Sequence, residues 1–318
     1  MLLTVAAAAN AAALVVPFLD LDMVGSGSEP YGLFRTVGLL WESGLFALAV
    51  LVVGFSAVFP FVKLAVLWSC TRRGPATGRT RRLALVESLG KWSMLDALLV
   101  AILLALTKGQ WLVSAEPRWG IALFVGGIVL SMAAGAVIAA AWPHPAPPAA
   151  PVRPPPSGGS HAGRWVLAAV AGLALLGAQV LPTLEIDSFW LRSHSYSLID
   201  MTWAMATQGS WSLAILLALG CIVLPWLRWA ALVLALVRPG SRAAHRCFTA
   251  LGPWTLVDVF ALALAIFLLE GSAFVPTGTG PGAALLATFL VLHLLARMAL
   301  ARTVRQAKAP PEPHRRLS

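Results

Sequence analysis

Residues 211–237 read WSLAILLALGCIVLPWLRWAALVLALV, a long run in which Arg228 is the only charged side chain. A helix of about 20 apolar residues is long enough to cross the hydrocarbon core of a bilayer. Helices suit this setting because they satisfy their own backbone hydrogen bonds where no water is available. The run therefore predicts a membrane-spanning helix, and the rest of the chain has to be compatible with a membrane protein.

The composition of the whole chain supports this prediction. Of its 318 residues, 59% are hydrophobic and 11% are charged, whereas soluble domains carry about 25% charged residues. The net charge of +10 would suit a nucleic-acid-binding protein if the chain were soluble. Here the Lys and Arg residues gather in short hydrophilic segments between apolar runs, which indicates membrane topology, and no nucleic-acid partner is predicted.

The apolar runs predict about eight membrane-spanning helices. Their approximate limits are 1–19, 45–69, 92–108, 120–142, 165–183, 211–237, 254–270 and 282–301. The predicted fold class is therefore an all-α polytopic membrane protein. The third and seventh runs are short, so we expect them to begin at the membrane interface or to continue beyond it.

The distribution of charge predicts the orientation of these helices. Basic residues gather after the second, sixth and eighth runs, whereas the segments after the first and fifth runs are mainly acidic. Cytoplasmic segments of membrane proteins carry the excess of Lys and Arg. The alternation predicts an even number of crossings, with both termini in the cytoplasm.

A stretch rich in Pro and Gly divides the chain. Residues 143–164 have no apolar periodicity and are typical of a linker. We therefore predict a first four-span module at 1–142, a second at 165–305 and a cytoplasmic tail at 306–318.

The two modules resemble each other in sequence. The segment Pro17–Asp22 matches Pro182–Asp187 at an offset of 182 − 17 = 165, and the same offset pairs Tyr31 with Tyr196. Matches at the same offset also include Gly44 with Gly209, Pro60 with Pro225 and Lys63 with Arg228.

Beyond the basic segment the offset becomes 252 − 90 = 162, and Gly90–Asp96 matches Gly252–Asp258. Because each module has an even number of predicted spans, the copies are expected to be parallel repeats.

Residues 87–96 read Glu-Ser-Leu-Gly-Lys-Trp-Ser-Met-Leu-Asp and precede an apolar run that ends in Lys108-Gly109. This segment resembles the signature of the paraquat-inducible protein A family, also called the PqiA or LetA type. The segment Gly252–Asp258 is a weaker version of it. Each module also shares with that family a proline after the first helix and a proline inside the second. The resemblance covers nearly the whole chain in two tandem copies.

The resemblance implies an inner-membrane protein that works with a periplasmic MCE-domain partner of the PqiB or LetB kind. Such systems are implicated in moving lipids between the two membranes of Gram-negative bacteria. Well-known members carry Cys-x-x-Cys zinc ribbons before each module. The cysteines here, Cys70, Cys221 and Cys247, form no such pair, so no metal site and no cofactor are predicted.

Asp96 and Asp258 are the strongest candidates for functional residues. A carboxylate at the centre of a membrane helix costs about 2.5–3.5 kcal/mol and by default indicates function. Ser93 and Thr255, three residues earlier, instead fit the Ser/Thr-x-x-Asp pattern of a helix N-terminal cap. Both interpretations stay open: a helix cap, or a group coupled to lipid or protons.

Lys63 and Arg228 each follow a helix proline by three residues. A proline removes a backbone donor and frees the carbonyl four residues earlier. A kink at Pro60 or Pro225 would open a crevice for lipid, in which the cation meets a phosphate. Alternatively, each cation extends along the helix to the cytoplasmic interface.

Lys91 and Trp92 are the charged and aromatic residues of the signature, and Trp254 is the equivalent of Trp92. All three are candidates for lipid or proton coupling. Lys91 and Lys108 also fit interfacial anchors on either side of the third run. Since Glu270 replaces Lys108 in the second copy, we expect the first module to keep more of the signature.

Segments 20–43 and 184–210 alternate polar and apolar residues, which predicts short strands in a small sheet outside the cytoplasm. Such β caps would dock a periplasmic partner. Trp190, Tyr196 and Trp203 fit either this cap or an interfacial aromatic belt.

Residues 79–91 fit a basic amphipathic helix on the cytoplasmic leaflet, or a solvated basic loop.

The sequence contains no Walker motif, dinucleotide fingerprint or zinc-protease motif, so an enzyme is not predicted. Three functions are considered. The first is the lipid-handling subunit that the resemblance implies. The others are a proton- or ion-coupled carrier of small solutes acting alone, and a membrane scaffold that transports nothing.

Overall fold

The computed structural model of the chain describes residues 1–23, 27–44, 46–73, 90–107, 113–141, 161–188, 192–237, 241–270 and 277–308. These residues are mainly helical and include two small antiparallel sheets. The predicted linker up to residue 160, the tail beyond Lys308 and residues 79–89 of the basic segment, predicted as a surface helix or a solvated loop, lie outside the described residues.

The first copy begins with helix α1 (Leu2–Val15), strands β1 (Leu19–Met23) and β2 (Gly27–Tyr31), and helix α2 (Leu33–Glu42). A long helical segment follows, consisting of α3 (Phe46–Val52), a π-helical turn at Val53–Val58 and α4 (Phe59–Arg73). A 3-10 turn at Lys91–Met94 continues into α5 (Leu95–Thr107). Strand β3 (Val113–Pro117) and helix α6 (Trp119–Ala141) complete the copy.

The second copy repeats these elements in the same order. It contains α7 (His161–Val180), β4 (Leu184–Ser188), β5 (Arg192–Tyr196) and α8 (Leu198–Thr207). Its long segment consists of α9 (Trp211–Leu217), a π-helical turn at Ala218–Val223 and α10 (Leu224–Val237). Helix α11 (Arg242–Leu251) and a 3-10 turn at Gly252–Trp254 precede α12 (Val257–Glu270), β6 (Thr277–Thr279) and α13 (Pro281–Lys308).

Each copy has one three-stranded sheet, with strand orders β2-β1-β3 and β5-β4-β6. In the first sheet Leu19 pairs with Tyr31, and in the second Leu184 pairs with Tyr196. The strands predicted from alternation in 20–43 and 184–210 are therefore confirmed. The later part of each segment forms α2 or α8, which alternation did not predict.

The sheets and the two signature segments, residues 90–96 and 252–258, lie at opposite ends of the helix bundle. Helix α1 leads into β1, and α5 leads towards β3, so the start of α5 lies away from the sheet. The same relationship holds for α12 and β6. The predicted cytoplasmic end of the bundle is thus the end that contains both signature segments.

Among the residues that the structure describes, five helical segments are long and apolar enough to cross a bilayer: Val53–Arg72, Trp119–Ile138, Trp211–Ala235, Arg246–Leu269 and Pro281–Met298. The apolar helices Leu2–Val15 and Trp165–Val180 are shorter. The chain is therefore a multi-pass membrane protein, as predicted.

The predicted first span, 1–19, ends early for a local reason. Val16 is extended (φ −77°, ψ 134°), which is the conformation that the residue before a proline prefers. Pro17 then prevents the helix from continuing, and Leu19 already belongs to β1.

The first and last helices of each copy pack together closely, α1 against α6 and α7 against α13. A Cβ atom on Gly120 would lie 2.3 Å from the Pro17 carbonyl oxygen, and one on Gly282 would lie 2.7 Å from that of Pro182. Membrane helices depend on small residues for such contacts, because lipid gives no hydrophobic drive to association.

The two copies share one apolar core. Helix α5 of the first copy packs against α12 of the second. Ile102 of α5 and Phe260 of α12 are fully buried in the same cluster of apolar side chains. Helices α5 and α12 therefore lie at the interface between the two copies.

Gly44 and Gly209 occupy equivalent turns before the long helical segments. Their φ angles are +79° and +80°, a left-handed conformation that is costly for residues with a Cβ atom. The match between these glycines in the sequence therefore reflects a shared backbone requirement.

Candidate functional site

The long helical segment of each copy changes its hydrogen-bond pattern just before a proline. The π-helical turns Val53–Val58 and Ala218–Val223 precede Pro60 and Pro225, each the second residue of the helix that follows. Single π-helical turns interrupt helices frequently at functional sites. Both predicted prolines therefore lie beside a local irregularity of the helix.

In the second copy, Gln179 satisfies the carbonyl groups around this irregularity. Its amide nitrogen donates to the carbonyl oxygens of Cys221 (3.1 Å) and Ile222 (3.3 Å). Its amide oxygen accepts from Trp226 Nε1 at 2.8 Å. Cys221 is four residues before Pro225 and carries the carbonyl that the proline leaves without a helical donor.

Lys63 lies in the interior of the first copy. Only 2% of the residue is exposed, and Nζ donates to Ser131 Oγ at 3.0 Å. A Cβ atom on Gly90, the first residue of the signature segment, would lie 3.1 Å from Lys63 Nζ. This inward position favours a buried polar site over a cation that extends to the interface.

Arg228 occupies the equivalent place in the second copy. Its Nη1 donates to Thr255 Oγ1 at 2.9 Å, and its guanidinium carbon lies 4.9 Å from the centroid of the Phe248 ring. A Cβ atom on Gly252 would lie 3.4 Å from Arg228 Nη2. In both copies, the cation after the proline therefore packs against the glycine that begins the signature segment.

Lys91 connects the two signature segments. Its ammonium group forms an ion pair with the carboxylate of Asp258 and lies 5.8 Å from the centroid of the Trp92 ring. Asp258 is in the first turn of α12 and also accepts from the backbone N–H of Val259. The pair brings together two candidates that are 167 residues apart in the chain.

The hydroxyl groups of the signature segments donate back along the chain. Ser93 donates to the carbonyl oxygen of Gly90 at 2.7 Å, and Thr255 donates to that of Gly252 at 3.0 Å. The Thr255 hydroxyl also accepts from Arg228, and neither of its hydrogen bonds is the Ser/Thr-x-x-Asp helix cap that the sequence allows.

The second signature segment also contacts the π-helical turn directly. The backbone N–H of Leu256 donates to the carbonyl oxygen of Gly220 at 2.9 Å. A Cβ atom on Gly220 would lie 2.6 Å from Leu256 Cδ1. The signature segment, the π-helical turn and Arg228 therefore form one connected unit.

The other predicted residues make different contacts or lie outside the described residues. Trp254 is partly buried and packs against the shared core. The side chains of Asp96 and Glu270, and the whole of Lys108, lie outside the described residues. Within the described ranges, no group of three or more His, Cys, Asp or Glu residues is arranged to hold a metal ion.

The aromatic residues near the sheets divide into two groups. Tyr196 is buried at the end of β5, and this burial raises the pKa of its phenol above the ordinary value. Trp203, Trp211, Trp41 and Trp119 are exposed, as in an interfacial belt. Trp190 lies outside the described residues.

Comparison with protein families gives a match over both copies. The model of the family described as paraquat-inducible protein A matches residues 1–143 and 162–305. The chain belongs to the paraquat-inducible protein A family. The resemblance first drawn from residues 87–96 is thereby confirmed, and so is the tandem arrangement of the family module.

Curated relatives include proteins named intermembrane transport protein PqiA from Escherichia coli (strain K12), E. coli O6:H1 and Shigella flexneri. Each is 30% identical to this chain over 124 residues, which are 37% of this chain and 30% of the relative. The matched region therefore spans less than a third of each relative. No solved structure matches the chain.

Three residues that contribute to the candidate site of this family member were not predicted from the sequence. Ser131 accepts from Lys63, the Phe248 ring packs against Arg228, and Gln179 donates to carbonyl groups beside Pro225, yet no motif surrounds any of the three. For Ser131 the internal repeat does give a signal, because Ser131 is equivalent to another polar residue, His293 (293 − 131 = 162). A polar residue at the same place in both copies is informative in a helix that is otherwise apolar.

Proposed function

We propose that this chain is the inner-membrane subunit of an intermembrane lipid transport system, with a periplasmic MCE-domain protein as its partner. Family membership, the name of the curated relatives and the multi-pass fold support a transport role. The observation that carries the proposal is the buried Lys63. A cation held inside a membrane bundle is costly, and such groups mark substrate or ion pathways.

The proposed lipid path passes the cations that follow the prolines. Each lies beside a π-helical turn and a signature segment, so movement of the signature segment changes the surroundings of the cation directly. The Lys91–Asp258 pair joins the signature segments of the two copies. A change at one copy is therefore transmitted to the other through this pair. No enzymatic step forms part of the proposal.

The proposed orientation follows the distribution of Lys and Arg. Both termini and both signature segments are cytoplasmic, and the two sheets are periplasmic. The sheets and the exposed Trp residues beside them would then be available to the MCE-domain partner.

The partner is tested by purifying the tagged full chain from native membranes and identifying co-purifying proteins by mass spectrometry. The expected result is an MCE-domain protein in amounts comparable with the chain itself. Consistent recovery of the chain without any MCE-domain protein, in mild detergent and after crosslinking, would contradict the proposed system.

The lipid path is tested with variants in bacteria whose growth depends on this transport. Lys63→Met and Asp96→Asn are expected to abolish growth at normal protein level. Arg72→Gln serves as the matched control, because Arg72 is an exposed cation near the same end of the bundle. Normal growth of both test variants would argue against a charged functional role.

A proton-coupled carrier acting alone is the second candidate, favoured by the Lys91–Asp258 pair at the boundary between the copies. Liposomes that contain only the purified chain distinguish the two functions. Proton flux that disappears in Asp258→Asn would favour the carrier. Retained function after combined changes at Asp96, Lys91 and Asp258 would instead favour a scaffold.

A further inference from the structure

The second copy contains a group of buried side-chain nitrogen atoms to which the proposed function assigns no hydrogen-bond partner. Arg228 Nε, His293 Nδ1 and His293 Nε2 are buried, and none has a hydrogen-bond partner among the residues that the structure describes. Leaving such groups without a partner costs about 1–3 kcal/mol each, and more when they are charged. Three in one place indicate a ligand.

Phe248 brings these groups together. Its ring lies 4.9 Å from the Arg228 guanidinium carbon and 5.7 Å from the centroid of the His293 ring. Phe289 lies 5.6 Å from His293 on the same helix. The guanidinium and the imidazole therefore contact one aromatic side chain from two different helices, α10 and α13.

At the equivalent place in the first copy, two described side chains bond to each other. Lys63 donates to Ser131 there, and both residues are buried. In the second copy His293 occupies the position of Ser131 (293 − 131 = 162), and Arg228 that of Lys63 (228 − 63 = 165). The described residues include no hydrogen bond between Arg228 and His293.

The charge of the site is positive. Within the described ranges, no carboxylate pairs with Arg228, and the nearby Asp258 pairs with Lys91. Arg297 is exposed one helical turn beyond His293, on the same face of α13. Its counterpart in the first copy is Gly135 (297 − 135 = 162). The second copy therefore has an additional cation beside the site.

We propose that Arg228, His293 and Arg297 bind the phosphate group of an anionic ligand. A guanidinium group matches phosphate oxygens with directed N–H donors, and an imidazole adds a further donor. Leu294 and Leu295, beside His293 on α13, are exposed and provide apolar surface for acyl chains. The phosphate comes from a phospholipid headgroup or from a soluble phosphate; the lipid source rests on the proposed function.

The test measures ligand binding to the purified full chain in detergent, by the shift in its thermal unfolding midpoint and by native mass spectrometry. The probes are dioctanoyl phosphatidylglycerol, dioctanoylglycerol and glycerol 3-phosphate. We expect the phospholipid to bind and the phosphate-free diglyceride not to bind. Saturable binding of glycerol 3-phosphate alone would assign the site to a soluble phosphate.

The variants are Arg228→Gln and His293→Phe, with Arg72→Gln as the control cation. Loss of a charge-assisted hydrogen bond is expected to weaken binding about tenfold or more in the first two variants, and to leave the control unchanged. Arg228→Lys keeps the charge and serves if Arg228→Gln does not fold; it too is expected to bind more weakly. Unchanged affinity in folded Arg228→Lys and His293→Phe would overturn the assignment, as would equal binding of the diglyceride.

The outcome is separable from the proposed function. If binding is absent while the MCE-domain partner and transport-dependent growth persist, the phosphate site is wrong and the proposed function stands. If phosphate binds at this site but no partner is recovered, the proposed function is wrong and the site stands.

Discussion

Lys91 of the first copy forms an ion pair with Asp258 of the second. The sequence does not allow the reciprocal pair, between Asp96 of the first copy and a cation of the second. The position equivalent to Lys91 is Pro253 (253 − 91 = 162), which has no cation to offer Asp96. The interface between two similar copies is thus asymmetric at its charged residues. At this pair of positions the described residues form one inter-copy ion pair, and Pro253 removes the cation that a symmetric second pair would need.

Reversal of the charges tests this pair. Lys91→Glu and Asp258→Lys are each expected to destabilise the protein by roughly 1–3 kcal/mol, because the pair is only partly exposed. The double reversal is expected to recover most of the loss. The measurement is the thermal unfolding midpoint in detergent, with Arg72→Gln as a control. Additive losses in the double variant would show that the two charges do not interact.

The close contact between Gly220 and Leu256 gives a second prediction. Gly220→Ala places a methyl group within 2.6 Å of Leu256 Cδ1, and overpacking of this kind costs roughly 1–3 kcal/mol. Gly54→Ala is the matched control, because Gly54 also lies in a π-helical turn but has open space around it. Equal unfolding midpoints for the two variants would contradict the tight packing of the signature segment on this turn.

Gln179 is predicted to stabilise the carbonyl groups beside Pro225. In Gln179→Leu, the carbonyl of Cys221 loses its side-chain donor and the indole N–H of Trp226 loses its acceptor. We expect a cost of about 1–3 kcal/mol. In a Pro225→Ala background the restored backbone N–H bonds to Cys221, so the same change is expected to cost less. A double-mutant cycle of unfolding midpoints measures this difference. No coupling between the two sites would refute the assigned role.

The N-terminus of α8 allows a reciprocal test. Ser197 and Asp200 form a capping box there, with the Ser197 hydroxyl accepting from the Asp200 backbone N–H at 3.1 Å. Ser197→Ala is expected to cost about 1 kcal/mol. Gly32, the equivalent N-cap of α2, is extended and has no side-chain cap, so Gly32→Ser is expected to be neutral or stabilising. Amide hydrogen exchange measures each effect locally, and we expect faster exchange at the start of α8 in Ser197→Ala. Slower exchange of α8 in this variant would contradict the assigned cap.

Much of the fold could be predicted from local patterns. Apolar runs located the long helices, and alternation located β1 and β4, because burial and backbone geometry impose these periods on neighbouring residues. The short helices α2 and α8 were missed, since a segment can alternate at its start and still form a helix further along. The limit of the first span was misplaced because Pro17 ends the helix before the apolar run ends.

The candidate site was predicted only in part. Lys63, Arg228, Lys91 and Asp258 were identified because charge is rare and costly in a membrane helix. Ser131, Gln179 and His293 were not, because a single polar residue in an apolar helix does not indicate which neighbour it faces. Residues 79–91, which fit either a surface helix or a solvated basic loop, lie largely outside the described residues, whereas the equivalent segment of the second copy forms helix α11.

The sequence by itself determined the membrane class, the duplication and the family, because composition, repeat offsets and the signature are properties of the chain read in order. Only the tertiary structure decided that Lys91 pairs with Asp258, that Lys63 meets Ser131 and that Arg228 and His293 share Phe248. Helices of similar apolar composition can pack in many arrangements, and the shape of their contacts selects one of them. That selection brings together charges that lie far apart along the chain, and the candidate site arises from it.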